Sequence, residues 1–272
     1  MIVELSGVEI NVRQWGPSAP SRRGTLALHG FTGSGEDFAG LATSLGGPFA
    51  AVDFVGHGGS GSPEDLEPYS MEFAVGMISE VVKALGWESV DLLGYSMGGR
   101  VAISLLAQNP NWLRSMTVVG AHAGIEQDME RRERISRDER LADRILDIGV
   151  AKFADEWEQL PVLLSQSNIP ESSLSGLKAR RRENNARGLA NSLKGMGAGA
   201  MPPVWENLMA CTAPALFVTG AMDNKFSRLA VKLVGSVKSG RHVVLDGVGH
   251  TAHLESPDEF LRLMRSVTSP AK

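Results

Sequence analysis

The residue with the clearest chemical signature is a serine, Ser96, at the centre of the motif GYSMG at 94–98. The apolar residues 89–94 predict a buried strand, and residues 97–108 have helical spacing. A serine between glycines at such a strand–turn–helix junction is typical of a nucleophile elbow, whose sharp turn exposes the hydroxyl at the edge of a sheet. The pattern therefore predicts Ser96 as the reactive hydroxyl group.

A serine hydroxyl needs a base to become reactive at neutral pH. His250 follows the predicted strand 242–245, from which it would reach the sheet edge that carries Ser96. His253 is a rival, although its place three residues further on favours a role at the start of a helix. The sequence therefore predicts His250 as the base.

An acidic residue is expected between this serine and this histidine, because triads built on such an elbow follow the chain order serine, acid, histidine. Asp223 lies just after the predicted strand 215–220, where its carboxylate would orient the imidazole and stabilise its cation. Asp246 is closer to His250 in sequence but stands at the end of its own strand. We therefore expect Asp223 to be the triad acid.

Two backbone N–H groups are expected to complete the site. The segment HGF at 29–31 follows the strand predicted beside the elbow strand. Phe31 from this segment and Met97, directly after the serine, would donate their N–H groups to an oxyanion. His29 is expected to close the loop by hydrogen bonding and not to take part in chemistry.

These residues must be positioned by an alternation of short strands and longer helices. The alternation occupies residues 1–121 and resumes in 206–272, and it indicates an α/β fold with a mostly parallel central sheet and helices on both faces. Residues 122–205 carry little strand signal and include a charged helical stretch at 126–148. We therefore predict a core formed by 1–121 and 206–272, with a helical cap inserted at 122–205.

More than half of the chain's arginines lie in this insertion, together with many acidic residues. Most are expected to be solvated partners of Asp and Glu on helix surfaces. Arginine is also the side chain preferred for bidentate binding of carboxylates and phosphates. Arg100, on the first turn after the elbow, points to a pocket for an anionic substrate. Trp157 and Trp205 are expected either to wall this pocket or to pack the insertion onto the core.

Composition and the absence of other motifs exclude several classes of protein. The net charge of −4 argues against nucleic-acid binding, and the single cysteine, Cys211, excludes an internal disulfide or a multi-cysteine metal site. We find no dinucleotide fingerprint, P-loop or metal-ligand pair, so we expect neither cofactor nor metal. No signal peptide or membrane-spanning run is visible, so we expect a cytoplasmic protein without membrane insertion. The oligomeric state is left open.

The elbow, Asp223, His250 and the loop at 29–31 together resemble the α/β-hydrolase superfamily over nearly the whole chain. A closer resemblance is carried by LHGFTGS (28–34), GYSMGGR (94–100), NARGLA (185–190), DNKF (223–226) and GHTAH (249–253). These segments are similar to the 2-succinyl-6-hydroxy-2,4-cyclohexadiene-1-carboxylate synthases of menaquinone (vitamin K2) biosynthesis. The combination of YSxGGR with DxKF is much more specific than the elbow alone.

The resemblance implies an α/β-hydrolase fold that works as a lyase with serine as a base. Enzymes of this family eliminate pyruvate from 2-succinyl-5-enolpyruvyl-6-hydroxy-3-cyclohexene-1-carboxylate, whose three carboxylates would account for several arginines. Carried over by position, the implied substrate-binding residues are Tyr95, Arg100, Arg134, Trp157 and Arg182. A shift of register would move the role of a cap arginine to one of its neighbours, which are Arg131, Arg132, Arg137, Arg180 and Arg181.

Two other functions would use the same residues. A carboxylesterase or thioesterase would employ Ser96 as a nucleophile on the same triad, so the triad alone does not discriminate. Arg100 does, because an esterase for apolar acyl chains would not need a cation beside its serine. A non-enzymatic binding protein on this fold is disfavoured, since it would have no need to keep Ser96, Asp223 and His250.

Overall fold

The computed structural model describes residues 1–17 and 21–268, which form one eight-stranded sheet. In chain order the strands are β1 (Ile2–Leu5), β2 (Val8–Trp15), β3 (Arg23–Leu28), β4 (Phe49–Val52), β5 (Ser89–Tyr95), β6 (Leu113–Val119), β7 (Ala215–Gly220) and β8 (Gly240–Leu245). Their spatial order is β1-β2-β4-β3-β5-β6-β7-β8. The pairs β1–β2 and β2–β4 are antiparallel and all the others are parallel, which confirms the mostly parallel sheet.

Helices cover both faces of this sheet, as the α/β prediction required. The α-helices are α1 (Ala39–Leu45), α2 (Met71–Ala84), α3 (Met97–Gln108), α4 (Asp128–Ile148), α5 (Val150–Glu158), α6 (Glu171–Glu183), α7 (Ala186–Met196), α8 (Asn224–Ser236), α9 (Ala252–Glu255) and α10 (Pro257–Thr268). Side chains of α2, α3 and α8 share one apolar cluster with the sheet, and those of α1 and α10 share another. Among the described helices, none has the length and apolar character needed to cross a membrane.

The central strands are buried on both faces because their side chains alternate between the two clusters. In β3, Leu26 and Leu28 belong to the cluster with α2 and α3, whereas Ala27 belongs to the cluster with α1 and α10. All three are fully buried. Such continuous apolar strands are typical of parallel sheets, and here they fix the carboxyl edge from which the predicted site residues project.

The helices α4 to α7 lie between β6 and β7. The charged helix α4 buries Ala142 and Ile145, which form an apolar cluster with Leu189 and Leu193 of α7. Residues spaced by three and four positions share one helix face, so the rest of α4 can remain polar. The division into a core at 1–121 and 206–272 and a cap at 122–205 stays a prediction.

Candidate active site

Ser96 lies at the turn between β5 and α3, with φ of 50° and ψ of −104°. A non-glycine residue in a sparsely populated backbone region costs about 1–3 kcal/mol. The turn also requires small neighbours, since a Cβ on Gly94 would lie 2.5 Å from the carbonyl oxygen of Gly98, and a Cβ on Gly98 would overlap that of Leu28. The glycines therefore let α3 approach the sheet while the turn presents the serine hydroxyl at its edge.

His250 joins this serine to a carboxylate. Its Nε2 lies 3.1 Å from Oγ of Ser96, and its Nδ1 lies 2.7 Å from Oδ2 of Asp223. Asp223 follows β7 and His250 follows the adjacent strand β8. Asp223 also caps α8, where its Oδ1 accepts the N–H of Phe226 at 3.3 Å. The structure thus brings the three predicted side chains together in an order that can pass the serine proton to the imidazole.

The two rival residues are placed elsewhere. Asp246 is exposed after the end of β8. His253 is buried, with its ring 5.4 Å from that of Phe38 and 4.6 Å from that of Tyr95. Burial lowers the pKa of His253 to about 3, so its imidazole is neutral at neutral pH. It packs against Tyr95 and is not part of the hydrogen-bonded series of Ser96, His250 and Asp223.

The imidazole ring of His250 packs against the backbone of Gly120, a residue that was not predicted from the sequence. Gly120 follows β6 with φ of +60°, and a Cβ at this position would lie 2.6 Å from Cε1 of His250. Phe226 packs on the same imidazole, with 4.6 Å between ring centroids. The ring is therefore located by bare backbone and by an aromatic side chain. In the sequence, the only sign of this role is that the predicted strand before it ends at this glycine.

The predicted oxyanion donors, Phe31 and Met97, both line the space beside Ser96. Met97 is the first residue of α3, so its N–H has no acceptor within the helix. Within residues 1–17 and 21–268, neither N–H donates a hydrogen bond. The loop of Phe31 is fixed by His29, whose Nε2 accepts the N–H of Phe54 at 3.0 Å. Both N–H groups are available to an oxygen atom in the cavity.

Two neighbouring cavities, of about 280 Å³ and about 120 Å³, both reach Ser96. The cationic side chains in their linings are Arg100, Arg134, Arg181 and Lys225. Among the described lining residues, Asp37 is the only carboxylate, and it is already paired with Arg180 at 2.7 Å. The space beside the serine is therefore strongly cationic.

Arg100 and Arg134 both line the smaller cavity. Arg100 is buried, and its Nη1 donates to the carbonyl oxygen of Met196 at 2.6 Å. Burial, reinforced by Arg134, lowers the pKa of Arg100 to about 10, which leaves it charged at neutral pH. Arg134 uses its Nε to bind both carboxylate oxygens of Asp138, at 2.9 and 3.0 Å. Among the described residues its terminal nitrogens donate no hydrogen bond, so they can bind a substrate carboxylate.

Arg182, which was predicted to bind substrate, is not among the residues that line either cavity. It pairs instead with the exposed Asp155 and with Glu158, whose side chain is 10% exposed. The preceding residue, Arg181, lines the larger cavity and is 5% exposed. Its Nη2 donates to Oε1 of Gln166 at 2.8 Å, whereas Nε and Nη1 have no hydrogen-bond partner among the described residues. Consecutive helical residues point about 100° apart, so a register error of one residue exchanges the two.

Of the two tryptophans, one lines the cavities and the other packs against the core. Trp157, from α5, lines both cavities and lies 5.2 Å from the ring of Phe31 and 5.6 Å from that of Phe153. Trp205 instead packs against the core and donates its Nε1–H to the carbonyl oxygen of Gly124 at 3.0 Å. An aromatic wall thus faces the cationic lining.

Tyr95 lines the larger cavity next to the elbow. Its hydroxyl lies 3.1 Å from Oγ1 of Thr251, the residue after His250. Burial raises the pKa of Tyr95 to about 12, so the phenol stays protonated. It can act as a hydrogen-bond donor but not as a base at neutral pH.

His122 and Lys225 are cavity residues that sequence reasoning missed. The Nδ1 of His122 accepts the N–H of Gly124 at 3.0 Å, so Nε2 carries the proton in the neutral ring. Burial and the nearby Arg100 lower the pKa of His122 to about 3. Lys225 lines both cavities from the start of α8. Each lies a few residues after the end of a strand, His122 after β6 and Lys225 after β7. This position at the carboxyl edge of the sheet could have predicted them from the sequence.

Comparison with known proteins places this geometry among α/β hydrolases. The sequence model of the alpha/beta hydrolase fold family matches residues 26–257. A Bacillus subtilis protein provisionally named 2-succinyl-6-hydroxy-2,4-cyclohexadiene-1-carboxylate synthase is 34% identical, with 97% of this chain and 96% of that protein covered. The synthase of that name from Salmonella paratyphi C is 30% identical, at coverages of 92% and 96%. The solved structure of MenH from S. aureus aligns with a TM-score of 0.88 at 25% identity, covering 94% of this chain and 97% of that one.

Proposed function

This chain belongs to the α/β-hydrolase fold family and, within it, to the 2-succinyl-6-hydroxy-2,4-cyclohexadiene-1-carboxylate synthases, and from that premise we propose how it acts as a lyase of menaquinone biosynthesis. It eliminates pyruvate from 2-succinyl-5-enolpyruvyl-6-hydroxy-3-cyclohexene-1-carboxylate to give 2-succinyl-6-hydroxy-2,4-cyclohexadiene-1-carboxylate. The observation that carries this proposal is the cationic lining around the serine of a hydrogen-bonded triad. A substrate with three carboxylates needs such a lining.

The reaction begins with a proton transfer along the triad. His250, oriented by Asp223, takes the proton of Ser96, and the resulting alkoxide removes the proton from the ring carbon next to the succinyl ketone. The electron pair forms a new ring double bond, the existing double bond shifts by one position, and the bond to the enolpyruvyl oxygen breaks. The leaving enolate takes up a proton on carbon and becomes pyruvate, and the imidazolium of His250 releases the proton that it received from Ser96, which restores the triad. No covalent ester with Ser96 is formed.

The backbone N–H groups of Phe31 and Met97 stabilise the negative charge that develops on the succinyl carbonyl oxygen. Preorganised donors of this kind act at the point where charge appears and need little reorganisation during the reaction. Neither N–H is engaged by another described residue, which supports this role. Trp157 supplies a flat apolar surface against which the substrate ring can pack.

The carboxylates are bound by the cationic side chains of the two cavities. Arg134 and Arg181 each keep guanidinium nitrogens without a hydrogen-bond partner among the described residues. Arg100 and Lys225 add positive charge near the serine. Holding several carboxylates at once fixes the orientation of the substrate, which lowers the entropic part of the barrier.

Ester or thioester hydrolysis is the second candidate activity, since the geometry of Ser96 and His250 also suits a nucleophilic serine. The two activities are separated by assaying pyruvate release, coupled to lactate dehydrogenase, alongside hydrolysis of p-nitrophenyl acetate. We expect rapid pyruvate release with negligible ester turnover. Ester hydrolysis without pyruvate above the uncatalysed rate would replace the lyase by a hydrolase.

The remaining expectations about partners and location stay predictions. They are a small anionic substrate, no nucleic-acid partner, no cofactor or metal, and a place in the cytoplasm. The net charge of −4 supports the prediction that the chain does not bind nucleic acid.

A further inference from the structure

The turn that carries His250 is held by a buried glutamate. Glu255, at the end of α9, is 7% exposed. Its Oε2 accepts the N–H of Gly249 at 2.7 Å, and its Oε1 accepts the N–H of Thr251 at 2.9 Å. One carboxylate therefore binds the backbone on both sides of His250.

Backbone and hydroxyl donors are the only described partners of this carboxylate. Besides the two N–H groups, Oε1 accepts the hydroxyl of Ser165, from the turn at 161–168, at 3.0 Å. Within the described part of the chain, no arginine, lysine or histidine forms an ion pair with Glu255. A buried charge without a counter-ion is costly unless hydrogen bonds compensate it. A neutral amide would avoid that cost, but it offers one acceptor oxygen where the turn presents two N–H donors.

We propose that Glu255 is a positioning residue for the proton transfer, which it assists by fixing the turn at 249–251. The turn sets the distance from Nε2 of His250 to Ser96 and from its Nδ1 to Asp223. An error of about 1 Å in such an arrangement can lower a rate on the order of 100-fold. The proposal rests on the proposed function only in that His250 is taken as the base.

The decisive variant is Glu255→Gln, which has the same size and keeps one acceptor. We expect kcat for pyruvate release to fall about 10-fold to 100-fold. Substrate affinity, measured by calorimetry in a Ser96→Ala background, should stay within about twofold because Glu255 does not line the cavities. Glu255→Ala, which removes both acceptors, should lose more activity. The matched control is Glu259→Gln, whose carboxylate has one hydrogen-bond partner among the described residues, the hydroxyl of Ser256 at 3.4 Å, and which should keep the wild-type kcat.

A second readout does not depend on the lyase reaction. The proton between Nδ1 of His250 and Asp223 should give a low-field NMR resonance that Asp223→Asn abolishes. Glu255→Gln should broaden or remove this resonance at a temperature where the variant is fully folded by circular dichroism, whereas Glu259→Gln should retain it. An unchanged resonance together with unchanged kcat would overturn the proposal. Absence of pyruvate release by the wild type would refute the proposed function, and the resonance would still decide the role of Glu255.

Discussion

Replacing Arg181 by methionine should stabilise the protein while weakening its hold on the substrate. The guanidinium is buried, two of its nitrogens have no hydrogen-bond partner among the described residues, and the carboxylate of Glu158 is 3.7 Å from Nη1. Each unsatisfied buried donor costs about 1–3 kcal/mol, whereas losing the bond to Gln166 costs about as much as one of them. Glu158 keeps its closer ion pair with Arg182, at 2.9 Å, so its charge stays compensated. The free energy of unfolding should therefore rise by about 2 kcal/mol, and Tm by about 5 °C.

The same two nitrogens, which have no hydrogen-bond partner among the described residues, are expected to bind a substrate carboxylate. Charge-assisted hydrogen bonds contribute about 1.5–3 kcal/mol each, so kcat/KM for pyruvate release should fall on the order of 100-fold. Arg182→Met is the matched control, because it makes the same change one residue away. The side chain of Arg182 lines neither cavity and is paired with Asp155 and Glu158, so kcat/KM should not change. A lower Tm with unchanged kcat/KM for Arg181→Met, or a larger loss of kcat/KM for Arg182→Met, would show that Arg181 is not the arginine of α6 that binds substrate.

Gly120→Ala should lower kcat for pyruvate release at least about tenfold, since its Cβ would lie 2.6 Å from Cε1 of His250 and its φ is +60°; full retention of kcat would show that the ring is seated differently. The free energy of unfolding should fall as the pH drops from about 6.5 towards 3, because burial lowers the pKa of His57, His122 and His253 to about 3. In this range the histidines of the unfolded chain bind protons, whereas those of the native protein stay neutral. The free energy of unfolding therefore falls by up to about 1.4 kcal/mol per pH unit for each histidine. His253→Phe should flatten the dependence of Tm on pH between pH 7 and 5, and an unchanged slope would contradict this explanation.

The sequence predicted the elements that carry the triad because local signals define them. Glycine-bounded apolar runs mark buried strands, and the predicted strand at 215–220 coincides with β7. The predicted helix at 97–108 coincides with α3, which begins at the elbow and ends before Pro110. These boundaries follow from turn chemistry and periodicity, which are properties of neighbouring residues.

The residues that the sequence did not reveal depend on long-range packing. Gly120 matters because a histidine from β8 rests on it, and Glu255 matters because it binds the backbone of the turn before its own helix. The choice between Arg181 and Arg182 depends on how α6 is rotated against the core. Leu174 and Leu177, which are buried together with Arg181, lie seven and four positions before it, so helical spacing places Arg181 on the buried face and was the signal available in the sequence.

We propose that Ser96 acts as a base in an elimination. The most direct test compares the rate of pyruvate release by the wild type and by Ser96→Ala at saturating substrate, with substrate affinity measured for the variant. We expect the variant to bind substrate with an affinity within about threefold of the wild-type KM and to release pyruvate at least about 1,000-fold more slowly. Release at a near-wild-type rate by Ser96→Ala would contradict the claim.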